Sequence, residues 1–187
     1  MLRKTRLLFI LFTGFFLITI SCNTREKRQR ANKPGYHYST INDTEDSVPA
    51  VYTVSPELER IVIVRLKNGT DALEGLREAV RKEEIKNGII LQGIGSVTSW
   101  HIHAVSETTG FPTINEYKKA NGPFDVLSMG GYIFSGRVHA HITLSDLNTT
   151  IGGHLEPGTK TYTFLIITIG VLDENTNLEW FDNWHRR

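Results

Sequence analysis

The chain has a single cysteine, Cys22, among its 187 residues. No disulfide can form within it, so packing and hydrogen bonds must hold its fold. It has no internal repeat, which excludes solenoid and propeller architectures. Beyond residue 33 it also lacks any dense basic cluster. Residues 1–33 hold eight Lys/Arg and one Glu, while the whole chain has 21 basic and 20 acidic groups, so the other 154 residues carry 13 basic and 19 acidic groups, net −6. An acidic globular part is poorly suited to phosphate backbones, and no nucleic-acid partner is expected.

The basic residues that are present sit at the start. Arg3, Lys4 and Arg6 precede an almost wholly apolar run from Leu7 to Ile20, the pattern of a secretory signal over residues 1–22. The run ends in Thr19-Ile20-Ser21-Cys22, which resembles a bacterial lipobox, with Thr19 where Leu is usual. Cys22 is therefore the expected lipidation site, and the expected location is the cell envelope, anchored to a membrane and facing outside the cytoplasm. An uncleaved signal anchor is the alternative. Residues 23–55 read as a flexible tether, opening with Arg25, Lys27, Arg28, Arg30 and Lys33 and showing no sustained periodicity. Beside a lipidated cysteine that cluster suits anionic headgroups or solvent.

Histidines supply the chemistry. Three of the seven fall in Arg137–Leu155, RVHAHITLSDLNTTIGGHL. In an extended segment His139 and His141 share one face while Val138, Ala140, Ile142 and Leu144 share the other. Ser145-Asp146-Leu147-Asn148 has turn chemistry, and a returning Thr149–Leu155 would carry His154 toward the pair. Gly152 and Gly153, with no Cβ, allow a backbone or ligand to come close just before it. Three neutral imidazoles suit zinc or a similar divalent ion, at about 2.0–2.1 Å with a fourth position open. The alternative is a polar pocket or subunit interface. A second pair, His101 and His103, lines the same site or else belongs to the sheet surface or an interface.

The remaining pattern defines one domain over residues 56–187. Arg60–Leu66 reads as a strand closed by Asn68-Gly69, and Asp71-Ala72-Leu73-Glu74 has the form of a capping box. The helix that follows would bury Leu73, Leu76 and Val80 and stop at Asn87-Gly88. Further strands are expected at Gly88–Val105, Phe124–Phe134, Arg137–Ser145 and Tyr162–Val171. Phe164-Leu165-Ile166-Ile167, apolar on both faces, would be central. Phe111–Asn121 reads as a loop or hairpin. Leu178-Glu179-Trp180-Phe181 reads as an edge strand or clasp, with Trp180, Phe181 and Trp184 packing.

The segments RLKNGTDALEGLREAV, GIILQGIGSV, GPFDVLSMGG, HAHITLSD and GGHL, in that order between Glu59 and Leu172, resemble the PPC domain found in plants and prokaryotes. The resemblance implies a compact α+β domain, an antiparallel-rich sheet with one main helix, assembled as a homotrimer. It also implies that His139, His141 and His154 are the metal-binding set, as in prokaryotic members. Plant members read DNA through AT-hooks; no Arg-Gly-Arg-Pro hook occurs here. The expected function is divalent-metal binding, with zinc the expected ion, in a module whose metal organises a ligand pocket or the trimer. A metal-dependent hydrolase or lyase is the alternative, with Glu156 or Asp146 as base unless each is a turn or capping residue. DNA binding by family analogy is disfavoured by charge and export.

Overall fold

Asp71 starts the fold's helix. Its Oδ1 accepts the backbone N–H groups of Leu73 and Glu74, satisfying two donors that the first turn of helix α1 (Ala72–Lys82) leaves free. Glu74 does not complete a reciprocal box; it pairs instead with Arg77 at 2.6 Å. The helix ends earlier than expected. Glu83 caps it and Glu84 takes a positive φ of 52°, which lets the N–H of Ile85 reach back to the carbonyl of Val80 and seat Ile85 in the core. Asn87, expected as the stop, is buried at the head of the next strand. Its Nδ2 donates to the carbonyls of Asp173 and Thr176.

The computed structural model describes residues 51–108 and 114–182. The signal with Cys22, the tether to residue 50, positions 109–113, which include the start of the expected loop or hairpin, and Trp184 lie outside the described residues. Around α1 run β1 (Leu58–Lys67), β2 (Asn87–Glu107), β3 (Ile114–Phe134), β4 (Arg137–Ser145), β5 (Thr150–Leu155) and β6 (Lys160–Leu172). All pair antiparallel in the order β1-β6-β2-β3-β4-β5, and β5 pairs again with β2, so the far end of the sheet curls into a closed ring. Residues Ile114–Asn121 are strand, since they find partners in Ser99–Glu107 of the 21-residue β2. The C-terminal edge strand is not formed. Glu179–Asp182 is a 3₁₀ turn, because the N–H of Phe181 bonds back to the carbonyl of Leu178 instead of joining a ladder.

Strand alternation sorts the side chains. Val138, Ala140, Ile142 and Leu144 of β4 and Leu165, Ile167, Ile169 and Val171 of β6 join Leu73, Leu76 and Val80 of α1 in one apolar core. Among the described residues nothing covers the other side of the sheet, and Ile61, Ile63, Leu91, Ile94 and Phe164 stand there 37–69 % exposed. As expected, β6 is interior to the sheet. The packed chain begins before Pro56: Val54 joins Phe134, Leu172 and Leu178 in a second small cluster, and Tyr52 packs on Phe181 at 5.0 Å.

Two glycines permit the closure. Gly131, at φ +149°, brings β3 so near β4 that a Cβ would stand 2.1 Å from the carbonyl oxygen of His139. At Gly153 a Cβ would stand 2.5 Å from the carbonyl oxygen of His103. Gly153→Ala should therefore force β5 away from β2 and destabilise the chelated protein by about 1–3 kcal/mol in urea unfolding. Gly130→Ala, whose Cβ would meet nothing within 4 Å, should change stability little. Equal effects of the two substitutions would show that this close approach does not hold the ring together.

Candidate metal centre

The register of β5 assembles the site. His154 lies directly opposite His141 across the β4–β5 pair and directly opposite His103 across the β2–β5 pair. The turn that returns β5 is held by Asp146, whose Oδ1 accepts the N–H groups of Asn148 and Thr149. Asp146 is thus committed to the turn and is removed as a catalytic base. His139 and His141 alternate with the buried residues of β4 as expected and stand on the side away from the helix.

The three predicted residues meet. Ring centroids lie 4.8 Å apart for His139 and His154, 5.3 Å for His141 and His154, and 5.4 Å for His139 and His141. One nitrogen from each ring falls within 4.8 Å of the other two. Around a tetrahedral ion the nitrogens stand roughly 3.4 Å apart, a distance small side-chain rotations reach. An outer carboxylate orients one of these rings. Nδ1–H of His139 donates to Asp182 Oδ1 at 2.9 Å, leaving Nε2 with its lone pair free, and Arg137 holds the other oxygen of Asp182 at 2.7 Å.

Of the second pair, His103 reaches the site and His101 does not. The ring of His103 lies 4.5 Å from that of His154, and its Nδ1–H donates to Glu156 Oε1 at 2.6 Å. Glu156 is thus half of a dyad and not a free base. Nδ1–H of His101 is taken by the carbonyl of Pro157 at 2.8 Å. His103, His154 and Glu156 form a second group with metal-binding spacing. Both groups need His154, whose neutral ring has one lone pair, so they are alternatives for one ion. Asp182 has no signal in the sequence: it lies 43 residues from His139, in a segment whose aromatics announce only packing.

Electrostatics favour lone pairs over protons. Burial, then the nearby rings of His139, His103 and His141, push the pKa of His154 down to about 4; burial and the rings of His139 and His103 lower that of His141. At neutral pH these two rings are uncharged, the state a metal requires. The donor set of neutral imidazoles with an outer carboxylate therefore fits a divalent ion of the zinc type.

Residues 54–173 match the Plants and Prokaryotes Conserved (PCC) domain. The bifunctional protein GlmU of a Synechococcus strain is 27% identical over 132 residues, 70% of this chain. The chain spans only about a fifth of that relative, 19% of its length. Among solved structures, a metal-containing protein of Archaeoglobus fulgidus superposes with a TM-score of 0.57 at 20% identity, over 66% of this chain and 86% of the other. A plant- and prokaryote-conserved (PPC) protein of Pyrococcus horikoshii gives 0.56 at 23% identity, over 66% and 87%. A protein of Bacteroides thetaiotaomicron proposed to bind DNA gives 0.54 at 17% identity, over 65% and 86%. At these identities the structural likeness concerns the fold.

The depressed pKa of His154 carries a signed consequence. An unfolded imidazole titrates near 6.5, so between about pH 6.5 and 4 the unfolded chain binds a proton that the fold refuses. Stability of the metal-free protein should fall as pH drops through that window and level off below it. His154→Gln should flatten the fall, as measured by denaturant midpoints at pH 7, 5.5 and 4. An unchanged slope in the variant would assign the acid sensitivity to other groups.

Proposed function

The chain belongs to the Plants and Prokaryotes Conserved domain family, and on that premise we propose that it holds one divalent ion per domain, zinc by its donor set, on His139, His141 and His154. The observation that carries this reading is the convergence of three imidazoles of which two have lowered pKa values and the third is held by Asp182. We further propose that the protein is exported and lipid-anchored at Cys22 in the cell envelope, on the strength of the basic start, the apolar run and the lipobox-like end. A homotrimer accounts for the uncovered side of the sheet, where Ile61, Ile63, Leu91, Ile94 and Phe164 would otherwise meet water. In this arrangement the ion organises a ligand pocket or the assembly.

A metal-dependent hydrolase or lyase is the second reading, and one observation favours it. The His103–Glu156 dyad stands against His154, so an imidazole backed by a carboxylate lies beside a proposed metal ligand, the kind of group that takes a proton from water or substrate. DNA binding is the weaker reading, because the 154 residues after position 33 carry a net charge of −6.

Elemental analysis of protein purified without chelator or His-tag tests the ligand set. Wild type should carry about one ion per chain, and His139→Ala and His154→Ala should each lose most of it, since two imidazoles leave an under-coordinated ion. Wild-type metal content in both variants would refute the assignment.

Location is tested separately. Cys22→Ser should move the protein from the membrane to the soluble envelope fraction, because stable anchoring rests on buried acyl chains. An unchanged membrane fraction would identify the apolar run as an uncleaved anchor.

A further inference from the structure

A cavity of about 480 Å³ opens beside His139, a size within the range of small-molecule sites. Its walls are aromatic: Tyr132 stacks on Phe134 at 5.5 Å from β3, and Tyr52 meets Phe181 at 5.0 Å from the two ends of the described domain. Ile89 and Leu172 add to the lining. At one edge the lining changes character and presents His139 and Asp182. Tyr52 precedes the family match at residues 54–173, and Phe181 and Asp182 follow it, so residues outside the shared domain complete a cavity whose floor the domain supplies.

Charge defines what the cavity lacks. The carboxylate of Asp182 is taken up by Arg137 and by Nδ1–H of His139. Three neutral imidazoles around a divalent ion leave two positive charges and one open position, with no unengaged carboxylate among the residues lining the cavity to offset them. An anionic oxygen donor would offset that charge, and a body that stacks against aromatic rings would fill the cavity.

We propose that this cavity binds a small carboxylate-type ligand with a flat apolar body, its anionic head at the His139 edge and its ring between the Tyr132–Phe134 and Tyr52–Phe181 pairs. The proposal rests on the metal reading above and adds the ligand class. Tyr132 and Phe181 act as selectivity residues for the body, and Asp182 positions His139 for the head.

The experiment uses the full chain in detergent, loaded with cobalt(II), whose visible absorption reports its ligands. Titration with 4-phenylbutyrate should perturb the spectrum at a concentration at least tenfold lower than acetate, because acetate has no ring to bury against the aromatic walls. Tyr132→Ala and Phe181→Ala, both at half-exposed positions, should weaken phenylbutyrate about threefold to tenfold and leave acetate unchanged. Equal affinity for the two acids, or variants that weaken both alike, would overturn the cavity assignment. If cobalt is not taken up, the metal reading falls by itself. Saturation-transfer NMR of phenylbutyrate on the same protein then decides the cavity: a transfer signal that Phe181→Ala abolishes upholds it, and a missing signal, or one the variant leaves unchanged, overturns it.

Discussion

The fold turns on the double pairing of β5. A six-residue strand is short for its task, yet Thr150–Leu155 bonds to β4 along its length and to β2 at Leu155 and His154. That second pairing turns an open sheet into a ring and places one imidazole between two others. Register in a sheet has a period of two, so a slip of one residue would send His154 to the core and Gly153 to the site. The closeness permitted at Gly153 and the buried Leu155, which is fully withdrawn from solvent, fix the strand against that slip.

Much of this is legible in the sequence because it is local. The alternation of β4, the Asx turn at Asp146 and the cap at Asp71 each involve residues within a few positions of one another, where spacing translates directly into geometry. The three-histidine set follows from one hairpin. What stays hidden depends on distant pairing. His103 joins His154 only through the β2–β5 bridge, and Asp182 meets His139 only because the last turn folds back over β3 and β4. The helix end misleads for another reason: Glu84 takes the left-handed conformation that Asn or Gly would have announced, and Asn87 spends its side chain on Asp173 and Thr176.

The two sides of the sheet make different demands. Toward α1, volume and apolar character suffice, and the core there is made almost wholly of Leu, Ile and Val. The other side mixes exposed aliphatic residues with histidines that are partly dry. Burial, and then the neighbouring imidazoles, keep the proton off His154 and His141 there. The helix-side core stabilises the domain, while the opposite side sets what it can bind.

The carboxylate of Asp182 is a tether between the C-terminal turn and the histidine ring. When the turn is docked, Nδ1–H of His139 has Asp182 as its acceptor; when it lifts, Nδ1 loses that acceptor and the ring is free to rotate. The chain leading into the turn is held by Asn87, which donates to the carbonyls of Asp173 and Thr176, and the turn itself is held at Asp182 by Arg137 and His139. Anything that binds Nε2 of His139 therefore also draws free energy from the docked turn, and by reciprocity slows its opening. Amide exchange over residues 178–182 and affinity at the imidazole are two readings of a single coupling energy.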